Sequence, residues 1–206
     1  DGHRNMAIGY QAMYQNGGSS AANSNHNMAI GYQSLGGDWA NATSEYNVAI
    51  GNGTISAALD DCNANIAVGH EALALLTHGD GNIAIGYQAL DQHTHGSRNI
   101  AIGYNAMDGT AGDTDDAPYS ADNIFIGYDA GGGDWVDTED SNSNVGIGNY
   151  VMDALMSAAN DNTGVGHNAL TGITSGDDNV AIGVAAGDGL TTGSENACLG
   201  SQSDTG

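Results

Sequence analysis

The six residues 82–87, with the sequence Asn-Ile-Ala-Ile-Gly-Tyr, decide the fold because variants of them return along the whole chain of 206 residues. Eleven copies begin at Asn5, Asn27, Asn47, Asn65, Asn82, Asn99, Asn123, Asn144, Asn162, Asn179 and Asn196. Successive copies are 17 to 24 residues apart. A unit of this length cannot bury its own apolar stripe, but stacked units bury a continuous one. The sequence therefore predicts an all-β parallel solenoid of eleven coils, a rod about 50 Å long.

Positions within a repeat are numbered here from its asparagine as position 1. Position 1 is always Asn and position 5 is always Gly, as in the pairs Asn5 and Gly9, Asn27 and Gly31, Asn82 and Gly86, and Asn99 and Gly103. Positions 2 and 4 are mostly aliphatic and position 3 is small, a period of two that favours a short strand. The glycine predicts a sharp corner followed by a second short strand. The asparagines are expected to form a ladder of side-chain amides.

The same alternation predicts which side chains face inward. If the aliphatic residues fill the roll, the position 3 row faces outward: Ala7, Ala29, Ala49, Ala67, Ala84, Ala101, Phe125, Gly146, Gly164, Ala181 and Cys198. A flat, uncharged row of small residues is then expected to be covered by further copies of the chain. The alternative is that this row points into a thin monomeric core.

The spacings between repeats predict two blocks within one solenoid spanning residues 1–206. The series 22, 20, 18, 17, 17 is followed by 24, 21, 18, 17, 17, so the first five coils match the next five. The first block covers residues 5–98, the second covers 99–195, and 196–206 begin a third. The absence of an atypical capping repeat suggests a segment of a longer fibre, or subunits that stack end to end.

Composition excludes several classes of partner. The chain carries 25 acidic residues, no lysine and two arginines, for a net charge of -23. Nucleic acids and anionic membrane surfaces require clustered basic residues, so neither is an expected partner. The apolar stretches are also too short for membrane insertion.

The phrase Asn-x-Ala-Ile-Gly-x-x-Ala resembles the head repeats of YadA-like trimeric autotransporter adhesins, and the Asn-x-Ala-Ile-Gly-Tyr-x-Ala-Leu form resembles phage-type tail-fibre repeats. This resemblance implies a left-handed β-roll, a side-by-side homotrimer and a non-catalytic role in attachment, on a cell or virion surface outside the cell. A surface glycan or a protein receptor would be the partner. The coils here are longer than the adhesin repeat of about 14 residues.

The alternative function is a self-assembling structural filament, or a matrix or sheath subunit. No arrangement of nucleophile and base recurs, so an enzyme is not expected.

Two tryptophans are the candidate partner-binding residues. Asp38-Trp39 and Asp134-Trp135 each follow a Gly-Gly pair, at matching places in the two blocks. An exposed indole beside a carboxylate could stack on a sugar or enter a pocket of a partner. Alternatively, each tryptophan folds back and anchors its own loop.

The candidate cation ligands are Asp113, Asp115 and Asp116, because closely spaced carboxylates suit Ca²⁺. The alternative is a solvated acidic loop, and no other cofactor is expected. His93 and His95 flank one residue and could share a strand face. The position 6 tyrosines, together with His70 and His167 at the same position, predict a column of stacked rings on the surface.

Overall fold

The computed structural model describes residues 4–14, 24–37, 43–110, 119–135 and 140–203. Within these residues the protein is all-β, and one parallel sheet contains eleven strands in chain order. The strands are β1 (Met6–Ile8), β2 (Met28–Ile30), β3 (Val48–Ile50), β4 (Ile66–Val68), β5 (Ile83–Ile85), β6 (Ile100–Ile102), β7 (Ile124–Ile126), β8 (Val145–Ile147), β9 (Thr163–Val165), β10 (Val180–Ile182) and β11 (Ala197–Leu199). Each repeat contributes one strand, so the predicted parallel β-solenoid is confirmed.

The strands pair in strict register, with equal repeat positions side by side, so that Ala84 faces Ala101. Backbone hydrogen bonds join the rungs: the N–H of Ile83 donates to the carbonyl of Asn99 (2.8 Å), and the N–H of Gly103 donates to that of Ile85 (2.8 Å). Because neighbouring rungs are separated by a whole repeat in sequence, almost every stabilising contact of the solenoid is non-local.

The predicted asparagine ladder is confirmed. The backbone N–H of Asn99 donates to Oδ1 of Asn82 (3.0 Å), and the Nδ2 group of Asn99 donates to the same oxygen (3.3 Å). That Nδ2 group also donates to the carbonyl of Ser120, one rung further along (2.8 Å). The ladder lies in the interior and satisfies both ends of each buried amide, which would otherwise be costly to bury.

A second polar ladder, which the sequence analysis did not predict, runs in the opposite direction two residues before the asparagines. The N–H of Glu45 donates to Oδ1 of Asn63 (2.9 Å), and the N–H of Asn63 donates to Oδ1 of Asp80 (2.7 Å). The N–H of Asp80 in turn donates to Oγ of Ser97 (3.0 Å). Here each side chain accepts from the preceding rung, whereas each ladder asparagine accepts from the following one.

The glycine corner is confirmed, but the second strand is wrong. Gly103 has a φ of +148°, and a Cβ there would lie 2.0 Å from the carbonyl oxygen of Gly127 on the next rung. Positions 7 and 9 also have positive φ, +52° at Asn105 and +53° at Met107, which is incompatible with an extended strand. This segment is a turn, although its backbone still bonds to its neighbours, as in Asn105 N–H to the carbonyl of Tyr87 (2.9 Å).

The predicted orientation of the strands is wrong, and the position 3 row points into the core of the chain, as the alternative held. From β2 to β11 the position 3 side chains are buried, whereas those at positions 2 and 4 are half-buried or exposed. The interior is instead filled from the opposite wall by position 9 residues such as Leu73, Leu90 and Met107. Because these long side chains occupy the narrow space, the sheet accommodates mainly Ala or Gly against them.

Phe125 is the one large side chain in the buried position 3 row of the described residues, and two glycines make room for it. A Cβ on Gly131 would lie 2.8 Å from the Phe125 ring, and a Cβ on Gly146 would lie 2.5 Å from it. The Trp135 ring packs edge-on against Phe125, with ring centroids 5.8 Å apart. The core therefore keeps its volume although the size of individual side chains changes.

Candidate functional site

The most unusual surface of the molecule is an uncharged face on the outside of the sheet. We define the apolar face as the side chains at positions 2 and 4 of the eleven repeats, which alternate with the buried position 3 row. Nearly all are Ile, Val, Met or Leu, and Ile85, Ile147 and Ile182 are 39%, 41% and 47% exposed. Positions 1 to 5 carry no charged residue in any repeat, although the chain has a net charge of -23.

The size of the apolar face follows from strand geometry. Eleven rungs at about 4.8 Å, each about 10 Å wide, give a flat area of about 500 Å². This is at the upper end of what a monomeric protein leaves in contact with water. A specific interface buries at least about 500 Å² per partner, so the face alone reaches the lower limit of that size.

One edge of the apolar face is lined by a column of rings at position 6, just beyond the glycine corner. His70, Tyr87, Tyr104 and Tyr128 stack with centroids 5.3, 4.8 and 5.3 Å apart and planes within 12° of parallel. In the repeat that begins at Asn144, position 6 is Asn149, and the neighbouring Tyr150 continues the column by an edge contact to Tyr128, followed by His167. A separate stack joins Tyr10 and Tyr32 at 5.8 Å. The predicted stacked column, including the structural role of both histidines, is confirmed.

The other edge follows the residue that precedes each asparagine. Arg98 forms a two-pronged ion pair with Asp122, with Nε to Oδ1 at 2.6 Å and Nη2 to Oδ2 at 2.8 Å. This pairing lowers the pKa of Asp122. Arg4 contacts the ring of His26, which stacks on Tyr46 at 4.8 Å. Both arginines of the chain therefore lie on this edge, and four exposed carboxylates occupy the same position in later repeats: Asp122, Asp161, Asp178 and Glu195.

A row of carboxylates lies along the turn that comes after the ring column in each repeat. We define the carboxylate row as Glu71, Asp91, Asp108, Asp129 and Asp153. Burial, and next to it the charge of Asp129, raises the pKa of Asp108 to about 6. Burial followed by the neighbouring Glu71 raises the pKa of Asp91, and burial is the main cause of the raised pKa of Asp129. The row therefore stores electrostatic repulsion at neutral pH.

The tryptophan of the second block lies inside the molecule. Trp135 is 5% exposed, packs on Phe125, and donates its indole N–H to the carbonyl of Gly131 at 3.0 Å. Its side chain anchors its own coil and offers no ring to a partner, which corrects the surface role considered for it. Asp134 beside it is exposed. Asp38 and Trp39 lie outside the described residues.

The predicted cation ligands Asp113, Asp115 and Asp116 also lie outside the described residues. Within the parts of the chain that are described, no three His, Cys, Asp or Glu side chains are grouped so as to hold a metal ion. His93 is buried and His95 is half-buried, so the expectation that they share a face is wrong. His93 is in the core, whereas the His95 ring stacks on His78 at 4.8 Å.

His93 is a buried histidine whose place in the core was not predicted from the sequence. It is 1% exposed, and its ring contacts Thr110 Oγ1 from Nδ1 (3.1 Å) and Asn99 Nδ2 from Nε2 (3.3 Å). Burial lowers its pKa to about 4. Alignment of the repeats could have indicated its burial, because the same position in the preceding repeat is Leu76.

Comparisons with known proteins give no relative for this arrangement: no protein-family model matches the chain, and neither a curated protein nor a solved structure does. Over the described residues, no helical segment is long and apolar enough to cross a membrane. The site is therefore interpreted from its own chemistry. A broad uncharged face on an otherwise acidic rod is suited to packing against another apolar surface.

Proposed function

We propose that this chain is a segment of a non-catalytic extracellular fibre that attaches to a cell, virion or host surface, and that copies of it assemble side by side. The observation that carries the proposal is the apolar face, which is free of charge over all eleven repeats of a strongly acidic chain. Another copy of the chain offers a matching surface of the same length, the same rung spacing and the same lack of charge.

The proposed stoichiometry is three chains with left-handed coils. Both features come from the resemblance of the repeat to YadA-like adhesin heads and phage-type tail fibres. Three copies around an axis would bring the position 2 and position 4 side chains of each chain against its two neighbours, and would leave the carboxylate row outside.

The attachment role rests on the spacing of the repeats. The connections that follow the first, second, sixth and seventh asparagines are the longest, with spacings of 22, 20, 24 and 21 residues. They would form two groups along the rod, carried by a stiff spacer of short coils. A glycan or protein receptor on a surface is the proposed partner.

The assembly is tested by measuring the mass of the particle with light scattering and its shape with electron microscopy. We expect the mass of three chains and short rods of fixed length. Ile102→Asp, at the centre of the apolar face, is expected to give single chains because it buries unpaired charges. Leu155→Asp is the matched control: Leu155 is 51% exposed but lies off the face, so this variant should remain assembled.

A wild-type chain that is monomeric at micromolar concentration would contradict the assembly, as would equal effects of the two aspartates. Open-ended filaments in the microscope would favour the structural filament over the attachment fibre.

Attachment is tested separately by shortening the 24-residue repeat that begins at Asn99 to 17 residues and measuring binding to glycan arrays and intact cells. A shortened fibre that binds no less well would contradict the role of the loops.

A further inference from the structure

The ring column has a geometry that restricts what it can do. Tyr87, Tyr104 and Tyr128 lie on successive rungs, with centroids 4.8 and 5.3 Å apart and ring planes 12° and 9° from parallel. Each inner ring therefore has both faces covered by its neighbours, and only its edge and hydroxyl group meet solvent. A sugar ring or a cation needs an open aromatic face, so the inner rings offer neither of these a stacking platform.

The backbone holds these rings at a fixed separation. The carbonyl of Tyr87 accepts from the N–H of Asn105 (2.9 Å), and the carbonyl of Tyr104 accepts from the N–H of Asp129 (3.0 Å). These bonds belong to the ladder that joins every rung, so adjacent tyrosines cannot separate while the solenoid is folded. The exposed side chains can still rotate about their own bonds on a fast timescale.

We propose that the ring column is a site of oxidative tyrosine coupling, in which neighbouring rungs become joined by a carbon–carbon bond. The chemistry needs a hydroperoxide as oxidant and a haem peroxidase to use it. Each of two phenols loses one electron and one proton to give a phenoxyl radical. The two radicals form a bond between ring carbons adjacent to the hydroxyl groups, and the hydrogen on each of those carbons moves to the oxygen. Two tyrosines and one hydrogen peroxide thus give one linked pair and two molecules of water.

The fold selects which tyrosines couple. Radicals held on neighbouring rungs react as if at a very high local concentration, whereas tyrosines on different chains must first meet by diffusion. Four tyrosine pairs are in ring contact: Tyr10 with Tyr32, Tyr87 with Tyr104, Tyr104 with Tyr128, and Tyr128 with Tyr150. When each ring couples once, a chain forms at most three links, namely 10–32, 87–104 and 128–150.

If solvent exposure alone decided which tyrosines couple, other tyrosines would react. Tyr46 and Tyr119 are 55% and 57% exposed, more than Tyr104 at 46%. Their ring contacts, however, are with histidines: Tyr46 stacks on His26, and Tyr119 meets the edge of His95. If proximity governs the reaction, these two more exposed tyrosines remain unlinked. Each link lies within one chain, so coupling is expected in the single chains of Ile102→Asp as well as in the fibre. In the fibre it requires that the ring column stays open to the oxidant beside the apolar face.

The test treats the full chain with hydrogen peroxide and horseradish-type peroxidase, then measures dityrosine fluorescence and identifies linked peptides by mass. We expect peptides joining residues 87 and 104 and residues 128 and 150, each lighter than its components by two hydrogen atoms. The variant Tyr104→Phe with Tyr150→Phe leaves Tyr87 and Tyr128 two rungs apart. Total dityrosine should then fall about threefold, from three possible links to one.

The matched control is Tyr46→Phe with Tyr119→Phe, which removes two more exposed tyrosines and should leave the dityrosine yield unchanged. Phenylalanine keeps the ring in every variant, and circular dichroism checks that the solenoid is intact. Equal losses in the two double variants, links that involve Tyr46 or Tyr119, links mainly between chains, or the absence of any link would each overturn the proposal.

Discussion

Replacement of the buried His93 by leucine is expected to remove a large part of the acid sensitivity of the fold. The imidazole is fully enclosed, and burial lowers its pKa from 6.5 to about 4, with a smaller contribution in the same direction from His95. The folded state therefore holds His93 neutral, whereas the unfolded chain binds a proton below pH 6.5. Stability from this group is complete above pH 6.5 and is lost as the pH falls from there to about 4.

The size of the effect on the unfolding free energy follows from the pKa shift of His93. Each pKa unit corresponds to about 1.4 kcal/mol, so the drop to about 4 costs the wild type about 3 kcal/mol of unfolding free energy at acid pH. Leucine should be accepted at this position, because Leu76 occupies it in the preceding repeat. Its neighbours also keep other partners: Thr110 still donates to the carbonyl of Met107, and the Asn99 amide still donates to Ser120.

The assay is urea unfolding of wild type and His93→Leu, followed by circular dichroism between pH 7 and pH 4. The difference in unfolding free energy should move by about 3 kcal/mol in favour of the variant as the pH falls. Ile173→Val is the control, since Ile173 is buried at the same repeat position as His93 and has no titratable group. Its difference from wild type in unfolding free energy should stay constant over this pH range. A His93→Leu difference that stays constant across this range would refute the reasoning.

Three further substitutions test other parts of the solenoid. Asp108→Asn should stabilise the protein by about 1 kcal/mol at pH 7 after allowance for solvent screening, because burial and Asp129 raise the pKa of this carboxyl to about 6. That gain should vanish below pH 4 in the same urea assay, and a gain that persists there would contradict it. Asn99→Ala should cost about 3–5 kcal/mol by leaving several buried ladder groups without partners, and a urea midpoint within error of wild type would be inconsistent with this. Gly103→Ala should cost at least about 3 kcal/mol, and Gly200→Ala clearly less, since nothing lies within 4 Å of a Cβ at Gly200; equal thermal shifts would count against the clash.

The ladder and the strands could be predicted from the sequence because their cause is repetition itself. Equal residues at equal intervals, such as Asn82 and Asn99, must come into register whenever the coils stack. The direction in which the strand faces could not be derived in this way. It depends on what fills the opposite wall, and there Leu90 and similar residues at position 9 occupy the space that the alternation rule assigned to Ile83 and Ile85.

The carboxylate row and His93 show a second reason why the site was harder to predict than the fold. Asp91 and Asp108 are neighbours only because the turn after the glycine corner places position 10 of successive repeats side by side. The positive φ values of that turn, as at Leu90 and Met107, belong to residues that rarely adopt them, so no local sequence signal indicates its path. His93 likewise looks like any polar loop residue until the coils are aligned.

The exchange of volume around Phe125 has a consequence for how the two blocks can recombine. In the first block the equivalent positions of Phe125, Gly131 and Gly146 hold Ala29, Leu35 and Ala49. The three positions together thus hold a similar side-chain volume in each block, but the volume is divided differently between two neighbouring rungs. A hybrid chain that takes only some of these three residues from the other block would contain either a cavity or a steric clash in its core. A hybrid that takes all three together would contain neither. The three positions are therefore exchangeable between the blocks as a set, although not one by one.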